Sequence, residues 1–226
     1  MRLEDAFNKN AVTGYSRVLG DGLEAAMMNA VQKTMIRTGS ELETLIFKYA
    51  TCATSTSLAA MRNSEGNTVI VSKDVPEFRM KGTQPDMFLF NKAENTLTVL
   101  EIKVGSSSFD TSNSAGKIEK TGSVARAIQE RTGILTKFKI CIWSASSKDD
   151  AVLKLKGLTT TDNVMTGAEL CNIIGAPMQK IELELTQSIN DNRAFFNSKL
   201  GVCQTSKCKM RYYDRTKITG GDKFYI

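Results

Sequence analysis

The most constraining feature of the sequence is a pair of strand-like runs near the middle of the chain, separated by a short turn-prone segment. Residues 87–90 and 97–100 are rich in β-branched and aromatic side chains, a composition typical of paired strands. A turn centred on residues 93–94 would place Phe90 opposite Leu97. The pattern therefore predicts an antiparallel β-hairpin.

Three charged residues extend this hairpin on one of its faces. The same register puts Asp86, which follows Pro85, opposite Glu101. Because side chains alternate along a strand, Glu101 and Lys103 point to the same side. The apolar residues around Glu101 predict a central, largely buried strand, in which an unpaired carboxylate is costly. A divalent metal would relieve that cost, and we favour a metal site over the alternative of a solvated strand face.

The absence of histidine narrows the possible chemistry. None of the 226 residues is a histidine, so Ser-His-Asp and Cys-His catalysis and histidine-ligated zinc are excluded. The five cysteines are scattered, and the close pair Cys203 and Cys208 lacks further ligands for zinc, which predicts free thiols in a reducing compartment. Carboxylate oxygens favour Mg²⁺, with Mn²⁺ as a substitute, and both ions are partners of phosphoryl chemistry.

The charged hairpin residues resemble the motif of the PD-(D/E)XK nuclease superfamily, here Pro85-Asp86 and Glu101-Ile102-Lys103. Gly105 and Phe109-Asp110-Thr111 are similar to an extension found in restriction-type members. The resemblance implies a restriction-endonuclease-like α/β core, in which a mixed central sheet of four or more strands is flanked by helices. It also implies that Asp86, Glu101 and Lys103 are catalytic, and that Asp86, Glu101 and the backbone carbonyl of Ile102 bind the metal.

The N-terminal region, from about residue 3 to residue 61, reads as helical, with Gly39 separating two segments. Ser40 and Glu43 match a capping box at the start of the second segment. The resemblance offers a second role, because many nucleases of this superfamily carry an additional metal-binding Glu on a helix before the hairpin. Capping is the favoured interpretation of Glu43, and the sequence does not decide whether Glu43 or Glu41 would be the ligand.

The remaining pattern completes an α/β chain. Strands are predicted at residues 68–72 and 138–144, and the basic residues of segment 73–84 are expected near the metal site. The polar stretch 105–116 reads as a substrate-facing loop, followed by a helix. Thr166 and Glu169 form a second capping-box pattern. A long helix is predicted from Pro177 to about Leu200, although the apolar residues at its start partly alternate as in a strand.

The charge of the chain is concentrated in its last part. Residues 193–226 contain eight basic and two acidic residues, which accounts for the net charge of +6 of the whole chain. Basic residues interleaved with aromatic ones suit contacts with phosphates and bases, and a terminal segment that closes the core is an equally good interpretation. We therefore predict one nuclease core with an N-terminal helical region at 1–192 and a basic segment at 193–226. The candidate nucleic-acid contacts are Lys117, Lys120, Lys207, Lys209 and Arg211.

Together with the resemblance, these observations predict a Mg²⁺-dependent endonuclease that hydrolyses DNA, most consistent with a type II restriction enzyme, and the resemblance implies a homodimer. A viral or repair nuclease acting on RNA or DNA is one alternative, and a nucleic-acid-binding protein without catalysis is another. No apolar stretch has the length of a membrane span, and the N-terminus lacks the apolar core of a signal peptide. The sequence therefore predicts an intracellular, cytoplasmic protein.

Overall fold

The computed structural model describes residues 2–8, 15, 18, 22–80, 84–105 and 111–199, with the backbone alone at 35–40 and 111–114. The helices of these residues are α1 (Leu3–Asn8), α2 (Leu23–Tyr49), α3 (Leu58–Asn63), α4 (Thr111–Thr132), α5 (Lys148–Lys154), α6 (Gly167–Ile174) and α7 (Met178–Lys199). The strands are β1 (Ala53–Ser55), β2 (Thr68–Val71), β3 (Met87–Asn91), β4 (Thr96–Lys103), β5 (Leu135–Ile142) and β6 (Val164–Thr166). Short 3₁₀ turns occupy Pro76–Phe78 and Thr161–Asn163.

The six strands form one mixed sheet in the order β1-β2-β3-β4-β5-β6. The pairs β2/β3 and β3/β4 are antiparallel, and β1/β2, β4/β5 and β5/β6 are parallel. Helices cover both faces, which is why β4 is buried along almost its whole length. The predicted α/β fold with a mixed central sheet flanked by helices is confirmed.

Two hydrophobic cores lie on opposite faces of the sheet. On one face, Leu100 and Ile102 of β4 pack with side chains of α2, α6 and α7, including Leu42, Leu170 and Ile181. The other face carries Leu97 and Val99 of β4, together with apolar side chains of α3, α4 and the 3₁₀ turn Pro76–Phe78. Alternation along β4 thus divides its apolar residues between the cores and directs Glu101 to the α4 side.

The hairpin has the predicted register, with Phe90 paired with Leu97 and Met87 paired with Leu100. Asn91 accepts a hydrogen bond from the amide of Glu94 through its side chain, and Asn95 adopts a left-handed conformation with φ of 48°. Asparagine tolerates this conformation better than most residues, which explains how the chain turns here without glycine.

The N-terminal region differs from the prediction in two ways. Helix α2 continues through Gly39, so Ser40 lies inside a helix and the predicted capping box is wrong. A single glycine costs a helix about 1 kcal/mol, which burial of Leu42 and Ile46 on one side of it and Met27 on the other outweighs. In addition, residues 53–55 form strand β1 instead of continuing the helical region.

Later in the chain the structure corrects the predicted boundaries. Helix α4 begins at Thr111, so the predicted loop 105–116 is helical over its last six residues. The capping box of Thr166 and Glu169 is confirmed at the start of α6, and Met178–Lys199 is helical throughout. Phe109, Asp110 and the basic segment beyond Lys199 lie outside the described residues. Among the residues that the structure describes, no helix is long and apolar enough to cross a membrane.

Candidate active site

Asp86 and Glu101 face each other where β3 begins and β4 approaches its end. The amide of Asp86 donates to the carbonyl of Leu100, the residue that pairs with Met87, at 3.0 Å, so Asp86 stays bound to β4 just before β3 begins. The Asp86 carboxylate in turn accepts a hydrogen bond from the amide of Ile102, with 2.6 Å between N and Oδ2. The main chain that carries Glu101 therefore also fixes the position of Asp86.

Glu101 is almost completely buried and is bound by two lysines. Its side chain is 7% exposed, and Oε1 lies 2.6 Å from Nζ of Lys103 and 2.8 Å from Nζ of Lys117. Burial alone would raise the pKa of Glu101, but the hydrogen bonds and charges of Lys103 and Lys117 outweigh it and lower that pKa. Glu101 is thus an ionised carboxylate whose charge is neutralised by ammonium groups.

Asp86 is in the opposite electrostatic situation. Burial, and next the negative charge of Glu101, raise the pKa of Asp86 from 3.8 to about 6. The amide of Ile102 and the charge of Lys103 oppose this shift without cancelling it. Asp86 therefore has too little positive charge around it, which a bound cation would supply.

Glu43 approaches the same site from α2. Its negative charge is a further cause of the raised pKa of Asp86, and its Oε2 lies 3.0 Å from Nζ of Lys73. Glu43 is therefore an ion-pair partner of Lys73 in place of the predicted helix cap. Glu41, the other candidate, accepts a hydrogen bond from the Ser188 hydroxyl of α7 at 3.0 Å.

Of the predicted nucleic-acid contacts, the structure brings Lys117 to the site. Lys120 is exposed on the same helix, and no hydrogen bond or ion pair of the described residues joins it to either carboxylate. Lys207, Lys209 and Arg211 lie outside the described residues. Sequence reasoning missed the Lys73–Glu43 pair, whose only signal was a basic residue just after a predicted strand.

The donor set fits a magnesium-type ion. Within the described residues, no group of three or more Cys, Asp or Glu side chains is arranged to hold a metal by itself. Mg²⁺ typically binds one or two carboxylates and fills its remaining positions with water and substrate phosphate. Asp86 and Glu101 provide two carboxylates, so they match this mode and not an all-protein cage.

Two cavities lie away from these residues. One, of about 550 Å³, is lined by residues that include Glu94, Thr96 and Lys139, and the other, of about 600 Å³, includes Gly66 and Thr68. Both are near the turn end of the hairpin, and neither is lined by Asp86, Glu101 or Lys103. The candidate site is instead formed by converging charges at the other end of the sheet.

Comparison with known proteins gives one informative similarity. The chain is 28% identical over 185 residues to the type II restriction enzyme HhaII of Haemophilus parahaemolyticus, with 76% of this chain and 81% of that protein covered. No family model matches the chain, and no solved structure matches it significantly. The similarity supports a relation to restriction endonucleases and spans most of both proteins.

Proposed function

We propose that this protein is a Mg²⁺-dependent endonuclease that hydrolyses phosphodiester bonds in DNA, as a type II restriction enzyme does. The observation that carries the proposal is the opposition of Asp86 and Glu101 across the hairpin, with Lys103 held beside them on the same face. The similarity to a protein named as a type II restriction enzyme supports the choice of DNA as substrate.

Asp86, Glu101 and the carbonyl of Ile102 would hold the metal, with Glu43 as a further candidate ligand if it leaves Lys73. When bound there, the metal would supply acidification of the attacking water and neutralisation of the negative charge that develops on the phosphate. Asp86 and Glu101 would hold their ligand in a defined position, because the amide of Ile102, next to Glu101, binds the Asp86 carboxylate at 2.6 Å. This chemistry needs no histidine base.

Lys103 has two possible roles in the reaction. Its ammonium group, 23% exposed on the strand that carries Glu101, can stabilise negative charge on the scissile phosphate. The same group can instead orient the attacking water by donating a hydrogen bond to it. Either role requires the side chain to lie on the carboxylate face of the hairpin, where the structure places it.

The decisive experiment is a digest of plasmid DNA and of RNA with Mg²⁺, followed by sequencing of the ends. Cleavage of DNA at fixed positions that stops with EDTA is the expected result. Cleavage of RNA alone would favour the viral or repair alternative. Retardation of nucleic acid in a gel without cleavage, with or without metal, would identify a binding protein and overturn the proposal.

A homodimer is part of the proposal, because two copies of the site would be needed to cut both strands of a duplex in one binding event. Sedimentation of the full chain with and without a DNA duplex tests it. A monomer that nicks one strand at a time would contradict this part of the proposal and leave the chemistry unchanged.

A further inference from the structure

Two ammonium groups bind the same oxygen atom of Glu101, although one positive charge is enough to neutralise a carboxylate. Nζ of Lys103 and Nζ of Lys117 both bind Oε1, at 2.6 Å and 2.8 Å. Charge-assisted hydrogen bonds of this length are strong when the acceptor is shielded from water, as Glu101 is. A divalent cation that binds Oε1 of Glu101 would therefore compete with both ammonium groups.

The two lysines differ in how firmly they are held. Lys103 belongs to the paired strand β4, two residues after Glu101, and its side chain is 23% exposed. Lys117 reaches across from α4, and its side chain is 54% exposed. Moving the Lys117 ammonium group into water breaks a more exposed, and therefore weaker, ion pair than moving that of Lys103. Lys117 is therefore the group that can leave.

The remaining charges near the site reinforce this assignment. Lys73 is already paired with Glu43, and Lys103 stays beside Glu101 because of its place in the strand. The hydrogen bond to Glu101 is the main cause that raises the pKa of Lys117, and the negative charge of Asp86 adds to it. The ammonium group of Lys117 thus interacts with both candidate metal ligands and lies where a bound cation would place its positive charge.

We propose that Lys117 is an exchangeable counter-ion, which neutralises Glu101 in the metal-free protein and is displaced when a divalent cation binds Asp86 and Glu101. The inference rests on the proposed function, since it concerns the metal of that same site. Displacement releases the ammonium group of Lys117 to solvent at the edge of the site, where a DNA phosphate can take it as a new partner.

The test is Mn²⁺ binding without DNA, measured by calorimetry at about pH 8 for the original protein, Lys117→Met and Lys120→Met. Lys120→Met is the matched control, because it removes one positive charge from the same helix without breaking a bond to Glu101. Removing the competitor should tighten Mn²⁺ binding by about three- to fivefold, the size of a half-exposed ion pair. Lys120→Met should bind Mn²⁺ nearly as the original protein does.

Thermal unfolding provides a readout that a permanent structural ion pair would not reproduce. Lys117→Met should lower Tm in EDTA and have little effect on Tm in saturating Mn²⁺, because the bond is already broken there. Equal loss of Tm in both conditions, or unchanged Mn²⁺ affinity, would overturn the inference. Lys117→Arg, which keeps the charge, serves as a second variant and should retain the original Mn²⁺ affinity within about twofold.

The same measurements separate this inference from the proposed function. Failure of the original protein to bind Mn²⁺, or equal binding by Glu101→Gln, would remove the metal site and with it the nuclease proposal. If Mn²⁺ binding is weakened by Glu101→Gln but unchanged by Lys117→Met, only the proposed displacement of Lys117 is overturned.

Discussion

The two strands of the hairpin each contribute one carboxylate to the same site, and the protein treats these carboxylates in opposite ways. On β4, Glu101 is buried and bound by two lysines, and its pKa is lowered. At the start of β3, the one hydrogen bond that the Asp86 side chain makes within the described residues comes from a backbone amide, and its pKa is raised to about 6. The residues face each other, yet one is fully neutralised and the other is not.

This difference shows how a site can be both stable and ready for a cation. The lysines hold Glu101 in the fold without metal, whereas the charge of Asp86 remains unfavourable until a cation arrives. Part of the affinity for a divalent ion would then come from relief of the repulsion between the two carboxylates. The comparison predicts that changes at Asp86 and at Glu101 affect catalysis alike and stability differently.

The largest expected effect is on cleavage, where the two residues should behave identically. Asp86→Ala and Glu101→Ala should each reduce plasmid cleavage in Mg²⁺ by about a thousandfold or more, since each removes a metal ligand worth several kcal/mol. Asp149→Ala, an exposed residue of α5, is the control and should cleave normally. Efficient cleavage by either site variant would refute the assignment of both.

Stability without metal should separate the two residues. At about pH 8, Glu101→Gln should lower the free energy of unfolding by about 2 kcal/mol, because it leaves two ammonium groups facing an uncharged side chain. Asp86→Asn should raise it by about 1–3 kcal/mol, because it removes repulsion while the amide oxygen still accepts from Ile102. Urea unfolding in EDTA measures the free energy of unfolding of both variants. A change of the same sign in both would contradict the proposed difference between the two carboxylates.

The pH dependence of metal binding should follow Asp86. Its pKa in the folded protein is about 6, above its ordinary value of 3.8, so a proton competes with the metal below pH 6. Affinity for Mn²⁺ should therefore fall up to about tenfold per pH unit below pH 6 and level off above pH 7. Calorimetry over this range checks it, and a profile with no change between pH 5 and 7 would contradict the raised pKa.

The raised pKa of Asp86 also determines how the stability of the metal-free protein changes with pH. Because the pKa of Asp86 is raised from 3.8 to about 6, its contribution to folded-state stability is complete below pH 3.8 and is lost as the pH rises from there through about 6. The stability of the original protein relative to Asp86→Asn should therefore be lower at pH 8 than at pH 5. Paired urea titrations at the two pH values measure this difference.

The smallest expected effect is at Glu43, whose charge adds to the repulsion on Asp86 but is shared with Lys73. Glu43→Gln should shift the pH midpoint of Mn²⁺ binding down by a fraction of a unit and change affinity at pH 8 by about twofold or less. Lys73→Met tests the same pair from its other side. A loss of tenfold or more in Glu43→Gln would instead make Glu43 a metal ligand.

The hairpin was predicted well from the sequence because its register depends on residues that are close together in the chain. Strand composition and the turn set the pairing of Phe90 with Leu97, and side-chain alternation then placed Glu101 and Lys103 on one face. The boundaries of helix α2 and the short strand β1 were wrong because they depend on packing between distant segments. A glycine within a helix is tolerated when both flanking segments bury apolar side chains, and a local pattern does not show this.

The partners of the charged residues were the part that sequence could not provide. Lys117 was one of several lysines expected near a phosphate, and its bond to Glu101 emerges only when α4 is packed against β4. Lys73 likewise meets Glu43 through the packing of α2 beside the sheet. Both contacts join residues remote in sequence, for which no spacing rule exists.

Strand β4 is paired along both of its edges, with β3 on one side and β5 on the other. The backbone amides of an interior strand become accessible to hydrogen exchange mainly when the whole sheet opens. The amides of Glu101 and Ile102 should therefore be among the slowest to exchange with deuterium, and those of the edge strands β1 and β6 should exchange earlier. The hairpin that carries Asp86 and Glu101 would then belong to the last cooperative unit to unfold, so heat or denaturant would disrupt the candidate site only when the whole fold is lost.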